Sequence, residues 1–418
     1  MLRRTAWILL LPVLLGACGV LSRAAAPTGK DLVLGVMLPL HDSQSGLAKE
    51  ELNGIQVAVD AVNSGGGVAG RPLRLVTRDV TTREAVDPAV RGLKSAGAQV
   101  ILGTYSSALS IPAAYSTSTA GLVYWETGAV ADQVTGEALP HVFRVGASGT
   151  TLGQGSATFA AEQLAPRLKR AVADLRLTVV QEHDPYGDSV AGAAVREAQG
   201  RGAQVSPVIT YDARNPDWDT VFAGVLAAHP DVLVLASNIP DGVAFRREML
   251  SRNLKVGALI GSTMAECGPE FGAELGDDAI GVFASDRPTR GFNPDALAGD
   301  ARAAYDTLAR EYWTRFQAVP GEEAISGFSA AWALVHDVLP AARTLDPEGI
   351  ATAAENLDLA NGALPNGGGL RFSREPADRG QNTRAASVVW QWQGYRKSVT
   401  VWPPVLATGR VTMVPLPR

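Results

Sequence analysis

A chain of 418 residues exceeds what one small core can organise, so two domains are expected. A hydrophobic share of 46% and a charged share of 19% exclude a disordered polymer. The formal net charge of −5, with no long run of Lys or Arg, argues against nucleic acid as the main partner, because phosphate binding needs a concentrated positive face.

The chain opens with Arg3 and Arg4, then an apolar run from Ala6 to Leu15 that is too short to span a bilayer. Leu15-Gly16-Ala17-Cys18 resembles a lipobox. That resemblance implies removal of residues 1–17 as a signal peptide and diacylglycerol attachment on Cys18; the alternative is an ordinary secretory signal with a coincidental cysteine. Residues 18–30, rich in Ala, Ser, Gly and Pro, read as a tether. The expected product is exported and held on a membrane surface, facing the periplasm or the cell exterior. Cys267 is then the one remaining thiol, without an intrachain partner, and reads as a buried inert side chain.

From Asp31 onward apolar runs alternate with helical patterns. Asp31 to Leu38 predicts a strand, and Leu52, Ile55, Val59 and Val62 share one face of the following helix. Gly65-Gly66-Gly67-Val68-Ala69-Gly70 satisfies G-x-G-x-x-G, yet it follows a helix and precedes a strand. That order inverts the phosphate-binding context and predicts a helix end and a turn. "RPLRLVTRDV" predicts the next strand, and Asp87-Pro88 a helix start with Asp as cap. "AQVILGTY", "GLVYWETG" and His141–Gly146 predict three more strands.

A second series follows: a strand over Leu175–Glu182, a helix from about Asp188 to Gly202, a strand in "QVSPVITYD", and a helix in "DWDTVFAGVLAAH". "DVLVLAS" and "KVGALIGS" predict two further strands. Continuous Val/Ile/Leu runs indicate strands covered on both faces, hence two doubly wound α/β lobes. Asp295–Phe316 and Ser326–Leu339 read as helices. "GGLRFS" and Ala386–Gly394 read as strands too few to make a sheet alone, so this remainder completes the two lobes.

The sequence displays no metal-ligand spacing, no phosphate loop and no credible triad. Gly187-Asp188-Ser189-Val190-Ala191 approaches a nucleophile elbow, but its last residue is wrong and Asp188 reads as a helix cap. No cofactor and no catalysis are expected. What stands out is the end of the third strand, where Tyr105, Ser106 and Ser107 precede a helix. Unpaired first amides with neighbouring hydroxyls favour a carboxylate, at the carboxyl end of a parallel strand where open α/β sheets place ligands. Plain capping of the helix by Ser is the alternative. The fourth strand ends in Trp125, Glu126, Thr127 and Gly128: Trp125 could wall a ligand and Glu126 offer a carboxylate, or both could be structural. Tyr186 could close over a ligand or pack beside its turn.

Taken in order, "LVLGVMLPL", "LNGIQVAVDAVNSGGGVAGRPLRLVTRD", "VILGTYSSALSIPAA", "GLVYWETGA", "EHDPYGDS" and "HPDVLVLA" resemble the type I periplasmic binding proteins, in their leucine/isoleucine/valine-binding branch of ABC-transporter receptors. The resemblance implies two Rossmann-like lobes joined by three crossover segments. One lobe would comprise residues 31–147 plus about 286–385, the other 148–285 plus about 386–418. It implies Ser107 at the ligand carboxylate, the Gly128 backbone at the polar head group, Tyr186 closing from the second lobe, and Leu47 setting selectivity. Val130 stands where amino-acid binders keep a hydroxyl, and Asn238 replaces an aromatic residue. Thr263 aligns with the acidic group that answers a ligand ammonium, while Glu266 lies close by and Glu126 is a further candidate for that charge. The ligand expected is therefore a branched-chain amino acid or a related small carboxylate or amide. The expected partners are an ABC permease and ATPase. A sensor of the same fold serving a signalling partner is the alternative, and an extracytoplasmic hydrolase a more distant one.

Overall fold

The computed structural model describes residues 29–262, 268–289 and 291–417. The signal segment, Cys18, Thr263, Glu266 and Cys267 lie outside the described residues.

Five strands make the first sheet: β1 (Leu32–Leu38), β2 (Leu73–Asp79), β3 (Val100–Gly103), β4 (Val123–Glu126) and β5 (Val142–Arg144). Their order is β2-β1-β3-β4-β5, with every neighbouring pair parallel. β1, β3 and β4 are buried along their whole length. That is why they read as unbroken apolar runs rather than an alternation. The helix Ser45–Ser64 buries Ile55 and Val59 against this sheet, and the glycine run then turns the chain. Gly67 has φ +73°, and a side chain there would collide with the Arg71 carbonyl, so glycine is required at that turn.

The second sheet holds β6 (Arg176–Glu182), β7 (Gln204–Val205), β8 (Ile209–Tyr211), β9 (Val232–Ala236), β10 (Ala258–Ser262), β11 (Phe283–Asp286), β12 (Val388–Gly394) and β13 (Lys397–Trp402). Its order is β13-β12-β11-β10-β9-β6-β7, with β8 also pairing β6. β6 to β11 run parallel, while β12 and β13 add an antiparallel hairpin at one edge.

The chain passes between the sheets three times. It leaves β5 for the helix Gly149–Phe159, whose Phe159 packs in the core with Leu177 and Val179 of β6. After β11 it returns, and Leu308, Ile325 and Phe328 join the core of the first sheet. Finally β12 and β13 carry it back to the second. This is the two-lobed doubly wound α/β fold expected from the sequence.

Several boundaries move. The helix expected from Asp188 spans Pro185–Gly200, because Asp184 rather than Asp188 caps it, accepting from the Gly187 amide at 2.6 Å with Pro185 in the first turn. Asp87 lies inside the helix Val86–Ser95 and does not cap it. "QVSPVITYD" splits into β7 and β8 around Ser206-Pro207, since Pro207 has no N–H for a ladder. "GGLRFS" forms only single bridges, Leu359 with Leu370 and Phe372 with Asn382. β13 carried no expectation of its own.

Candidate functional site

Both sheets reverse their winding at one point, and the two points face each other. In the first sheet the chain leaves β1 and β3 on opposite sides; in the second, the reversal lies between β6 and β9. Loops beyond such ends splay apart and leave a crevice. Here the crevice is a narrow cleft of about 410 Å³, counting space open to solvent. Tyr105, Ser106, Ser107, Gly128 and Val130 line one wall. Asp184, Tyr186 and Asn238 line the other, with Arg287 at the crossover after β11.

The first wall is built on the helix Ser107–Thr119. Ser106 occupies its cap position in extended backbone, but its side chain makes no capping bond. The Ser106 carbonyl takes the Leu109 and Ser110 amides at 3.1 and 2.8 Å. The Ser107 and Ala108 amides therefore have no partner within the helix. Ser107 Oγ accepts from the Ala131 amide at 3.1 Å, and its hydroxyl proton remains to donate. Plain capping does not account for this pair of serines.

On the second wall, Tyr186 is buried in a small apolar cluster with Val130, Leu152 and Val190, and its hydroxyl donates to the Ser262 carbonyl. Val130, which stands where amino-acid binders keep a hydroxyl, thus joins the two walls through an apolar cluster with Tyr186. Asn238 Nδ2 donates to Glu182 Oε2 at 2.6 Å.

Three sequence expectations change. Glu126 is fully buried beneath its loop. Its Oε1 accepts from the Thr127, Gly128 and Ala129 amides at 2.9, 2.7 and 2.7 Å. Its Oε2 accepts from the Ser110 hydroxyl and, at 2.8 Å, the Tyr124 hydroxyl. A carboxylate with five internal donors shapes the loop and has no capacity left for a ligand. Trp125 does not wall the cleft: its Nε1 donates to the Ala330 carbonyl at 2.8 Å, and its ring packs against Phe143 and Phe372. The Gly128 amide is not free to hold a head group, since Glu126 takes it; the Gly128 carbonyl accepts from Arg287 Nη1 at 3.0 Å and keeps one lone pair. Leu47 is half-buried against the first-lobe core, while Gln44 beside it reaches the cleft.

Below the floor lies a group of buried charges that no motif signalled. Arg287 donates to Glu322 Oε1 at 3.1 Å, Glu323 Oε1 at 2.8 Å and Ser326 Oγ at 3.3 Å. Burial opposes its charge, but Glu323, Glu322 and Asp286 outweigh that and hold it firmly protonated. Glu51 accepts from the Thr127 hydroxyl through Oε1, while its Oε2 is buried without a partner. Burial, then the charge of Glu323, pushes Glu51 well above the usual carboxylate range. Burial likewise pushes Glu323 up to about 7 against the pull of Arg287. Arg144 holds the same loop from the side, donating to the Ala131 carbonyl and to Gln381 Oε1, both at 2.6 Å.

Residues 32–394 match the family model described as periplasmic binding protein. Leu/Ile/Val-binding protein homolog 8 of Brucella abortus (strain 2308) is 29% identical over 387 residues, covering 91% of this chain and 93% of that protein. Among solved structures, the leucine binding protein LivK of Thermotoga maritima superposes with a TM-score of 0.73 at 18% identity, covering 89% of this chain and 98% of its own. A solute binding protein of an ABC transporter from R. palustris, in complex with benzoate, gives 0.70 at 17% identity, covering 91% and 98%.

Proposed function

Because the chain belongs to the periplasmic binding protein family, we propose that it is the exported solute receptor of an ABC importer, holding a small amino acid, carboxylate or amide between its lobes. The lobes are taken as residues 31–147 with about 286–385, and 148–285 with about 386–418. The observation that carries the reading is the pair of serines at Ser106 and Ser107, which stand beside unpaired helix-start amides yet cap none of them. The ligand's acidic or amide oxygen would accept from these groups. The relatives' own ligands support the class: leucine for the Thermotoga protein and benzoate for the R. palustris protein.

The mechanism is binding without chemistry. Free lobes exchange between open and closed forms, and a ligand that touches both walls stabilises the closed one by its differential affinity. Tyr186, packed against Val130, supplies the apolar part of that contact. The closed surface is what a permease and its ATPase would read, and a lipid on Cys18 would keep the receptor beside them.

Thermal-shift screening of purified protein against amino acids, amides and aromatic acids identifies the ligand, since a true ligand raises the melting temperature. Ser107→Ala should then weaken its binding roughly tenfold, as expected for a lost hydrogen bond to a charged group. Unchanged affinity would remove Ser107 from the site. Cys18→Ala should release the protein from membranes; retention would refute lipidation there.

A further inference from the structure

We infer that Asp132, gripped by Ser189 and Thr150, latches the two lobes together outside the ligand cleft, and that Ser189 thereby scales the affinity for every ligand alike without touching one. This rests on the lobe-closing reading proposed above.

Ser189 belongs to the stretch from Gly187 to Ala191 that approaches a nucleophile elbow. In the structure it lies in the helix Pro185–Gly200 and is buried. Its hydroxyl meets the Asp132 amide at 3.0 Å, Gln133 Oε1 at 3.2 Å and the Pro185 carbonyl at 2.7 Å. None of these is a general base, so the hydroxyl is not activated for attack. Ser189 lines a groove that shares no residue with the cleft: Asp132, Gln133 and Gly136 come from one side, Asp188, Ser189 and Arg196 from the other.

The loop after β4 sends successive amides to different elements. The Ala131 amide donates to Ser107 Oγ in the cleft wall, and the Asp132 amide donates to Ser189 Oγ. The Asp132 carboxylate accepts from the Thr150 amide at 3.0 Å and the Thr150 hydroxyl at 2.7 Å. Thr150 opens the helix Gly149–Phe159, whose first amides favour a negative charge. That helix and Pro185–Gly200 meet too closely for side chains between them. A Cβ on Gly149 would lie 2.5 Å from Ser189 Cβ, and one on Gly153 would collide with the Val190 carbonyl. The two helices therefore grip Asp132 as one rigid unit.

The latch is tied to closure by its neighbours. Tyr186 precedes Ser189 by three residues, so both stand on one helix face, and Val130 precedes Asp132 by two on the facing loop. Tyr186 packs against Val130 in the cleft while Ser189 holds Asp132 outside it. Any motion that parts the first pair parts the second. Release is cheap, because the Ser189 hydroxyl has one proton and keeps donating it to Pro185 within its own helix. What opening loses at Ser189 is one neutral hydrogen bond, which biases the lobes toward closure by about three- to tenfold. The inference thus requires that the ligand-free protein already populates the closed form.

The test uses the purified full-length protein. Small-angle X-ray scattering without ligand compares wild type with Ser189→Ala, which leaves the charge of Asp132 facing Arg144 in place. Calorimetry of both, and of Ser107→Ala, uses L-leucine and benzoate as probes. Ser189→Ala should raise the radius of gyration and weaken each probe that binds by one common factor of about three to ten. A radius of gyration equal to that of wild type, or unequal losses for two probes that bind, would overturn the latch. A Ser189 that only supports the fold would give that first result, with a lowered melting temperature. Where neither probe binds, scattering alone decides. A Ser107→Ala protein that binds every probe like wild type would instead overturn the cleft reading, and the scattering would still judge the latch.

Discussion

Replacing Glu126 by Gln tests whether this carboxylate organises the floor of the cleft or serves a ligand. Three amides converge on Oε1 and two hydroxyls on Oε2, all within a fully buried site. Gln preserves shape and the three amide bonds, but at neutral rather than charge-assisted strength. It also turns an NH2 group toward Ser110 and Tyr124, which must give up two bonds or rotate. A bond to a charged group contributes about 1.5–3 kcal/mol against roughly 1 for a neutral one, so the combined loss comes to about 3 kcal/mol. Glu126→Ala leaves all five donors unmet and should cost about 5 kcal/mol. Urea unfolding followed by tryptophan fluorescence measures both. A Glu126→Gln protein within about 0.5 kcal/mol of wild type would refute the structural role, because surface-like substitutions fall in that range. A shift in preference between amine-bearing and amine-free ligands at unchanged stability would return Glu126 to the binding surface.

Ser106→Ala should alter ligand affinity while leaving the melting temperature within about 1 °C, since this hydroxyl caps nothing in the free protein. Gly128→Ala places a methyl against Glu51 Oε2 and 3.1 Å from the Tyr105 Cα, and should lower stability by about 1–3 kcal/mol in the same urea assay. Arg287→Met strands Glu322, Glu323 and Asp286 in the interior and should cost about 3–5 kcal/mol at pH 8, with a smaller deficit at pH 5 where carboxylates can protonate; equal deficits at both would refute the charge argument. Glu182 has its folded pKa raised from 4.5 to about 7, so its protonated form favours folding; that contribution is complete below pH 4.5 and lost as pH rises through 7. Glu182→Gln should flatten this part of the stability profile and make the protein more stable at pH 8 by about 1 kcal/mol, after discounting for the half-exposed position.

The first sheet was legible because β1, β3 and β4 are buried on both faces, and continuous apolar runs are the direct imprint of that environment. The glycines at 65–70 were legible because a turn has a strict local grammar. β13 was not: "KSVTVW" is short and polar-interrupted, and becomes a strand only because β12 offers an edge through a tight turn at Tyr395-Arg396. The serines at 106 and 107 could be picked out because hydroxyls at the end of an apolar run are conspicuous. The direction of the Glu126 carboxylate could not. A glutamate at a strand's end faces solvent, ligand or its own loop depending on φ and ψ over three residues, and the sequence carries no mark of that choice. Asp184 was hidden for a related reason: the sequence offers both Asp184 and Asp188 as caps of the same helix, and only the backbone path decides that Asp184 takes the Gly187 amide and lines the cleft.

These hidden residues share one physical role. The loop from Thr127 to Ala131 would be a soft surface in isolation, with amides and carbonyls free to rearrange around any ligand. Glu126 fixes its amides from below, Arg144 holds Ala131 from the side, and Arg287 anchors Gly128 from the crossover. Each is a charge taken out of water, and each is retained because its bonds are numerous and well directed. The consequence is a floor that does not adapt, which removes an ordering cost from ligand binding. Because Arg287 lies at the crossover after β11, its bond to Gly128 ties the floor to that segment. In the reading proposed above, Asp184, Tyr186 and Asn238 would approach the first wall together on closure, since the second lobe carries all three. On that reading a ligand is selected by how well it spans the two walls when they meet, so selectivity should respond most to substitutions on the second wall and least to conservative changes in the floor.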